Sequence, residues 1–119
     1  MTLTEFLLVR IAEDQAVAQK VPGDGEFCTW NRSWDMSPTR DLVVNGERVA
    51  PLPMTMDEHI CRWAPARVLA ECEAKRRIVK RLAPIFEERQ FSYDLAEYVL
   101  CDLATVYAAH PDYREEWKP

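Results

Sequence analysis

The chain has 119 residues, enough for a single domain that hides roughly 65% of its unfolded surface and folds without a metal or a disulfide. It carries 15 Lys and Arg against 20 Asp and Glu, a formal net charge of −5, with 48% apolar and 29% charged residues, which excludes a disordered, collagenous or fibrous chain. No apolar run exceeds four residues, as at Phe6 to Val9, and Glu5 and Arg10 interrupt the stretch where a secretory leader needs continuous apolar side chains, so a cytoplasmic protein with no membrane span is expected.

Thr2, Leu3, Thr4 and Glu5 have capping-box spacing, which predicts a helix over residues 1–21 with Leu3, Phe6, Leu7, Val9, Ile11, Ala12, Ala16 and Val17 as its apolar positions. Pro22, Gly23, Asp24 and Gly25 end it. Residues 26–53 favour pleated structure, and Asn45-Gly46 between Asp41-Leu42-Val43-Val44 and Glu47-Arg48-Val49-Ala50 predicts a two-residue hairpin turn. A third strand at Phe27 to Trp30 would complete a small ribbon, since two strands alone are marginal in water. Pro51 and Pro53 are expected to stop that ribbon.

Thr55 and Glu58 repeat the capping-box spacing ahead of a short helix over 55–63. A long helix over 65–83 starts at Pro65, where a missing N–H costs nothing, and is ended or kinked by Pro84, with Ile85 to Gln90 able to carry on as a further turn. Ser92 is placed to cap a helix over 92–109 that buries Leu95, Ala96, Val99, Leu100, Leu103 and Tyr107 and carries Asp94, Glu97 and Asp102 outside, and Pro111 opens a tail over 110–119 whose Tyr113 and Trp117 argue that it folds back on the body. The expected architecture is α+β: one domain over 1–119 with three main helices and a small antiparallel hairpin or three-stranded ribbon in the first half. The expected core is Phe6, Leu7, Ile11, Trp30, Val43, Val68, Leu69, Cys72, Val79, Leu95, Val99, Leu103 and Tyr107.

Cys28, Cys61, Cys72 and Cys101 lack any Cys-x-x-Cys pair, and a reducing compartment makes them four free thiols. His59 and Cys61 are the weak candidates for a metal site, weak because side chains two apart on a helix point away from one another. Three glycines cannot build a Gly-x-Gly-x-x-Gly or Walker loop, and neither His59 nor His110 belongs to a nucleophile motif. No catalytic residue and no cofactor is therefore assigned, and the chain reads as non-enzymatic.

The net charge conceals a pattern. Residues 1–61 sum to −5, 62–81 to +5 and 82–119 to −5, so a basic helix lies between two acidic segments. Complementary patches of this kind steer protein docking, which favours a module that binds a partner protein or its own copy, with Trp117 as an aromatic contact. The alternative is a nucleic-acid-binding protein that sets Lys75, Arg76, Arg77, Lys80 and Arg81 against phosphates. On a helix these five cannot all face one way, because Arg76 and Arg77 are about 100° apart.

Three stretches carry a family resemblance: MTLTEFLLVRIAEDQAVA at 1–18, PARVLAECEAKRRIVK at 65–80 and HPDYREEW at 110–117. With them the chain resembles a family of small actinobacterial and actinobacterial-phage proteins catalogued as a domain of unknown function. His59-Ile60 and Pro65-Ala66-Arg67 match that family's pattern, whereas Ala64 stands in place of a helix-capping Asp and Trp63 where a His is frequent. The resemblance implies no activity. It implies an origin in an actinobacterium or one of its phages; if the gene is viral, the partner protein is expected to be a host factor.

Overall fold

The computed structural model describes residues 1–21, 39–44 and 47–119. In chain order these form α1 (Leu3–Gln19), β1 (Thr39–Val44), β2 (Glu47–Pro53), α2 (Met54–Arg62), α3 (Pro65–Glu87), α4 (Tyr93–Thr105) and a 3-10 turn at Glu115–Trp117. Three main helices with a two-stranded antiparallel hairpin in the first half make an α+β architecture, as the sequence predicts. The candidate third strand at Phe27 to Trp30, the expected core residue Trp30, the stop at Pro22 to Gly25 and the Asn45-Gly46 pair lie outside the described residues. Two compact units divide the chain: Met1–Asp14 with Glu71–Pro119, and Gln15–Ala70.

In the Gln15–Ala70 unit, β1 and β2 pair from Thr39↔Pro53 to Val44↔Glu47. The register shifts between Leu42, opposite Ala50, and Val43, opposite Arg48, so Val49 is the extra residue of a bulge, and it is exposed. The strand runs through Pro51 and ends at Pro53, the expected limit of the ribbon. Among the described residues β2 has a single neighbour, β1, so a proline's missing N–H can face away from the ladder. Val43 is buried, and α2 packs on both strands. At the end of α2 the Trp63 ring lies 4.9 Å from the His59 ring, nearly parallel to it, and 4.5 Å from the Arg67 guanidinium. The capping side chains expected at Thr55 and Glu58 lie outside the described residues, and the helix begins one residue earlier, at Met54.

In the other unit the predicted capping box is formed. The Thr2 amide donates to Glu5 Oε2 at 2.8 Å and the Glu5 amide to Thr2 Oγ1 at 3.2 Å. From there α1 buries Leu3, Phe6, Leu7, Arg10 and Ile11, at steps of three, one, three and one. Val9 and Val17, expected inside, are exposed because they fall off that stripe.

Helix α3 buries Cys72, Val79 and Ala83 and continues through Pro84 to Glu87, four residues past the predicted end. The ladder resumes at once, with Glu88 N–H donating to the Pro84 carbonyl at 3.0 Å. The helix closes with Gln90 N–H on the Ile85 carbonyl at 3.0 Å, Arg89 N–H on the Phe86 carbonyl at 3.3 Å, and Arg89 left-handed at φ 48°. That is a Schellman closure with arginine where glycine is the usual residue.

Helix α4 buries Ala96 and Leu100, as expected, together with Cys101 and Ala104, but its inward face is turned away from Leu95, which is exposed, and Val99, Leu103 and Tyr107 are only half-buried. Val68 and Leu69 of α3 are likewise half-buried, not core. Ser92 stands at the N-cap of α4 in a left-handed conformation, φ 71°, and its hydroxyl makes no cap. The helix ends at Thr105, four residues before the expected boundary, in successive turns to His110.

Candidate functional site

The tail folds back onto α1 around one ring. Phe6 is flanked by Trp117 at 4.9 Å, His110 at 5.8 Å, Tyr113 at 6.1 Å and Tyr107 at 6.2 Å, the last three edge to face. Trp117 is 6% exposed, so the residue expected to offer an aromatic contact to a partner is spent on the core.

Beside this cage lies a polar cluster that the sequence reading missed. Arg10 is 5% exposed, its guanidinium 5.4 Å from the Phe6 centroid. Its Nη2 donates to Glu13 Oε1 at 2.8 Å and its Nη1 to His110 Nδ1 at 2.7 Å, with Nε2 of the same ring also in contact. The Asp112 amide donates to His110 Nδ1 at 3.1 Å, and Asp112 Oδ2 is 3.9 Å from Arg10 Nη1. One turn further along α1, Asp14 Oδ2 accepts the Tyr107 hydroxyl at 2.6 Å. Burial, then that bond, pushes the Tyr107 phenol well above its ordinary value. The signal was present, because Arg10 and Asp14 continue the spacing of Leu3, Phe6 and Leu7, and a charge on a buried stripe needs partners. Chemically the cluster is a clasp: the His110 lone pair is occupied by donors, and no nucleophile touches it among the described residues.

The metal candidates do not converge. His59 is stacked on Trp63, and Cys61 is disulfide-bonded, which corrects the expectation of four free thiols and removes its sulfur from any ligand set. Among the described residues no group of three or more His, Cys, Asp or Glu is placed to hold a metal ion. Cys72 and Cys101 are free and buried, and desolvation raises both thiols above the ordinary cysteine value, which leaves them poor nucleophiles.

The basic helix is partly satisfied within itself. Glu73 binds Arg76 at 3.3 Å and Arg77 at 3.4 Å, one and the same carboxylate serving both. Lys80 and Arg81 are exposed, and neither makes an ion pair among the described residues. A cavity of about 400 Å³ at the α3–α4 turn is lined by Phe86, Glu87, Arg89, Tyr93 and Glu97, with the Arg89 guanidinium 5.7 Å from the Tyr93 centroid.

The outer face of α4 stands apart. Leu95 is 64% exposed, Tyr98 65% and Val106, at the C-cap, 67%, while Phe91 in the preceding turn is 99% exposed. Around the helix axis Leu95, Tyr98 and Val106 lie within about 80° of one another, on the side opposite Ala96, Leu100 and Ala104. Asp102 falls within this stripe and Asp94 on its edge.

These features define a small α+β chain with an internally clasped tail and one apolar helix face in solvent. The chain belongs to the family of unknown function DUF6221, whose sequence profile matches residues 1–119. Among curated proteins and solved structures, none matches it.

Proposed function

We propose that this chain is a non-enzymatic protein-binding module of an actinobacterium, or one encoded by its phages and directed at a host protein. The observation that carries the reading is the orientation of α4, which buries Ala96 and Ala104 while Leu95, Tyr98 and Val106 stay in water. Leu95, Tyr98 and Val106 share one face with Asp102 among them, and large apolar side chains grouped on one face of a small protein mark an interaction site more often than scattered ones do. Support for a non-catalytic role comes from the clasped His110 and the two buried, unreactive thiols.

The test is reconstitution. A photo-crosslinking residue at Tyr98 should trap a single protein in cells of the source organism, and the purified pair should bind saturably. A chain that stays monomeric and yields no saturable complex from any trapped species overturns the reading. Among the described residues no helix is long and apolar enough to cross a membrane.

A second reading, nucleic-acid binding through α3, is favoured by Lys80 and Arg81, whose charges no carboxylate neutralises among the described residues. Its signature is affinity for duplex DNA or RNA that falls steeply with salt and is lost in Lys80→Glu with Arg81→Glu. Salt-independent binding, or none, removes it.

A further inference from the structure

We infer that the outer face of α4 receives a basic amphipathic helix of the partner protein, with apolar side chains seated on Leu95, Tyr98 and Val106 and Lys or Arg side chains beside Asp94 and Asp102. This deepens the protein-binding reading and rests on it.

The geometry fixes the size of the occupant. From Leu95 to Val106 the stripe runs eleven residues, about 17 Å along the axis, which is three turns of a partner helix. Residues at such spacing form the ridge that a second helix packs against.

Charge fixes its chemistry. Helix α4 carries Asp94, Glu97 and Asp102 and no Lys or Arg, and none of the three makes an ion pair among the described residues. Asp94 is engaged only by the neighbouring Tyr93 hydroxyl, and Asp102 gives only its backbone carbonyl, to Thr105. A second copy docking α4 on α4 would bring two such carboxylate sets together without a cation, and like charges across an interface are costly. An anionic lipid surface is repelled for the same reason. An apolar helix with one cation set opposite Asp102, in the middle of the stripe, and others along its edge near Asp94 satisfies both the stripe and its carboxylates.

The experiment uses two designed peptides as probes on the full chain. Both have leucines at helical i, i+3, i+4 and i+7 spacing, one with lysines and the other with glutamates on the remaining positions. Fluorescence anisotropy should show saturable binding of the Leu/Lys peptide and none of the Leu/Glu peptide. Leu95→Glu should weaken binding at least about tenfold although it adds a negative charge, and Leu95→Ser should do the same. Bare charge attraction would instead strengthen in Leu95→Glu, and that result overturns the proposal. So does equal binding of both peptides, or binding of neither. Since Leu95 is exposed, circular dichroism and melting temperature should be unchanged in both variants, and Tyr98→Ser is a further variant if either misfolds. Sedimentation of the unmixed chain as a dimer that Leu95→Glu disperses would assign the face to a second copy and overturn the proposal. A reconstituted partner that crosslinks elsewhere, with α4 free, would sink this inference and leave the protein-binding reading standing.

Discussion

The Tyr107 hydroxyl donates to Asp14 Oδ2 at 2.6 Å, joining the tail-ward end of the chain to the first helix across 93 residues of sequence. The bond is charge-assisted and half-buried, so both groups are held where water competes weakly. It also fixes Tyr107 against Phe6, one edge of the aromatic cage.

Tyr107→Phe should lower stability by about 1–2 kcal/mol, because Asp14 loses its donor while the ring remains. The pH dependence has a definite sign. A phenol raised above its ordinary 10.0 contributes stability that is fully present below pH 10 and is lost as pH rises toward the folded-state value. Urea midpoints should therefore fall above pH 10 in the wild type and fall less in Tyr107→Phe. Identical alkaline profiles would count against the bond.

At Arg10 two substitutions should separate packing from charge. Arg10→Ala removes the stem that lies on Phe6 and should cost about 2–3 kcal/mol. Arg10→Met keeps most of that volume, and the partners left behind, Glu13 at 57% and Asp112 at 58% side-chain exposure, rehydrate readily. It should cost no more than about 1 kcal/mol. Equal losses in both variants would mean that the ion pairs, not the packing, hold the clasp.

Arg89→Gly should stabilise the chain by about 1 kcal/mol. Arginine at φ 48° pays the left-handed penalty that glycine avoids, and the Schellman bonds are made by backbone atoms that the change leaves in place. The gain is smaller if the Arg89 stack on Tyr93 contributes. Calorimetry should show a higher melting temperature, and a lower one would show that the stack outweighs the strain.

The three described cysteines should differ under alkylation. Cys72 and Cys101 should react at least about tenfold more slowly in the native chain than in denaturant, because burial both shields the sulfur and disfavours the thiolate. Cys61 should label only after reduction. Mass spectrometry of the labelled peptides distinguishes all three, and rapid native labelling of Cys72 would contradict its place in the core.

What sequence could reveal here followed from pattern, and what it could not followed from phase. The hydroxyl and carboxylate of Thr2 and Glu5 announce a helix start by spacing alone, and Leu3, Phe6, Leu7 and Ile11 mark the inward face of α1. Counting every apolar residue as inward blurs that face, which draws Val9 and Val17 inside and passes over Arg10. In α4 apolar residues surround most of the helix, so two faces compete, and side-chain size favours the wrong one. Only packing selects Ala96 and Ala104 over Leu95, and the outward stripe was legible only after that choice. Pro84 left two outcomes open, an end or a continuation over Ile85 to Gln90, and the helix continues to Glu87 because a missing donor costs a bond but does not forbid a helix that is held on both sides of it. The basic run at Lys75 to Arg81 was visible from composition, whereas its internal sharing of Glu73 depends on rotamers. Trp117 was read both as a sign of a returning tail and as a contact for a partner, and its burial against Phe6 leaves only the first.

The Phe6 cage sets a timetable for biosynthesis. Met1–Asp14 belongs to the same compact unit as Glu71–Pro119, so the first helix to emerge must wait for the last of its neighbours. At about 5–20 residues per second, the roughly hundred residues between Phe6 and Trp117 take on the order of 5–20 s to be made. Through that interval the Phe6 ring and the Arg10 guanidinium have none of their late partners, and α1 is exposed to chaperones or to pairing with another nascent chain. A gene truncated before Tyr107 would leave it in that condition permanently.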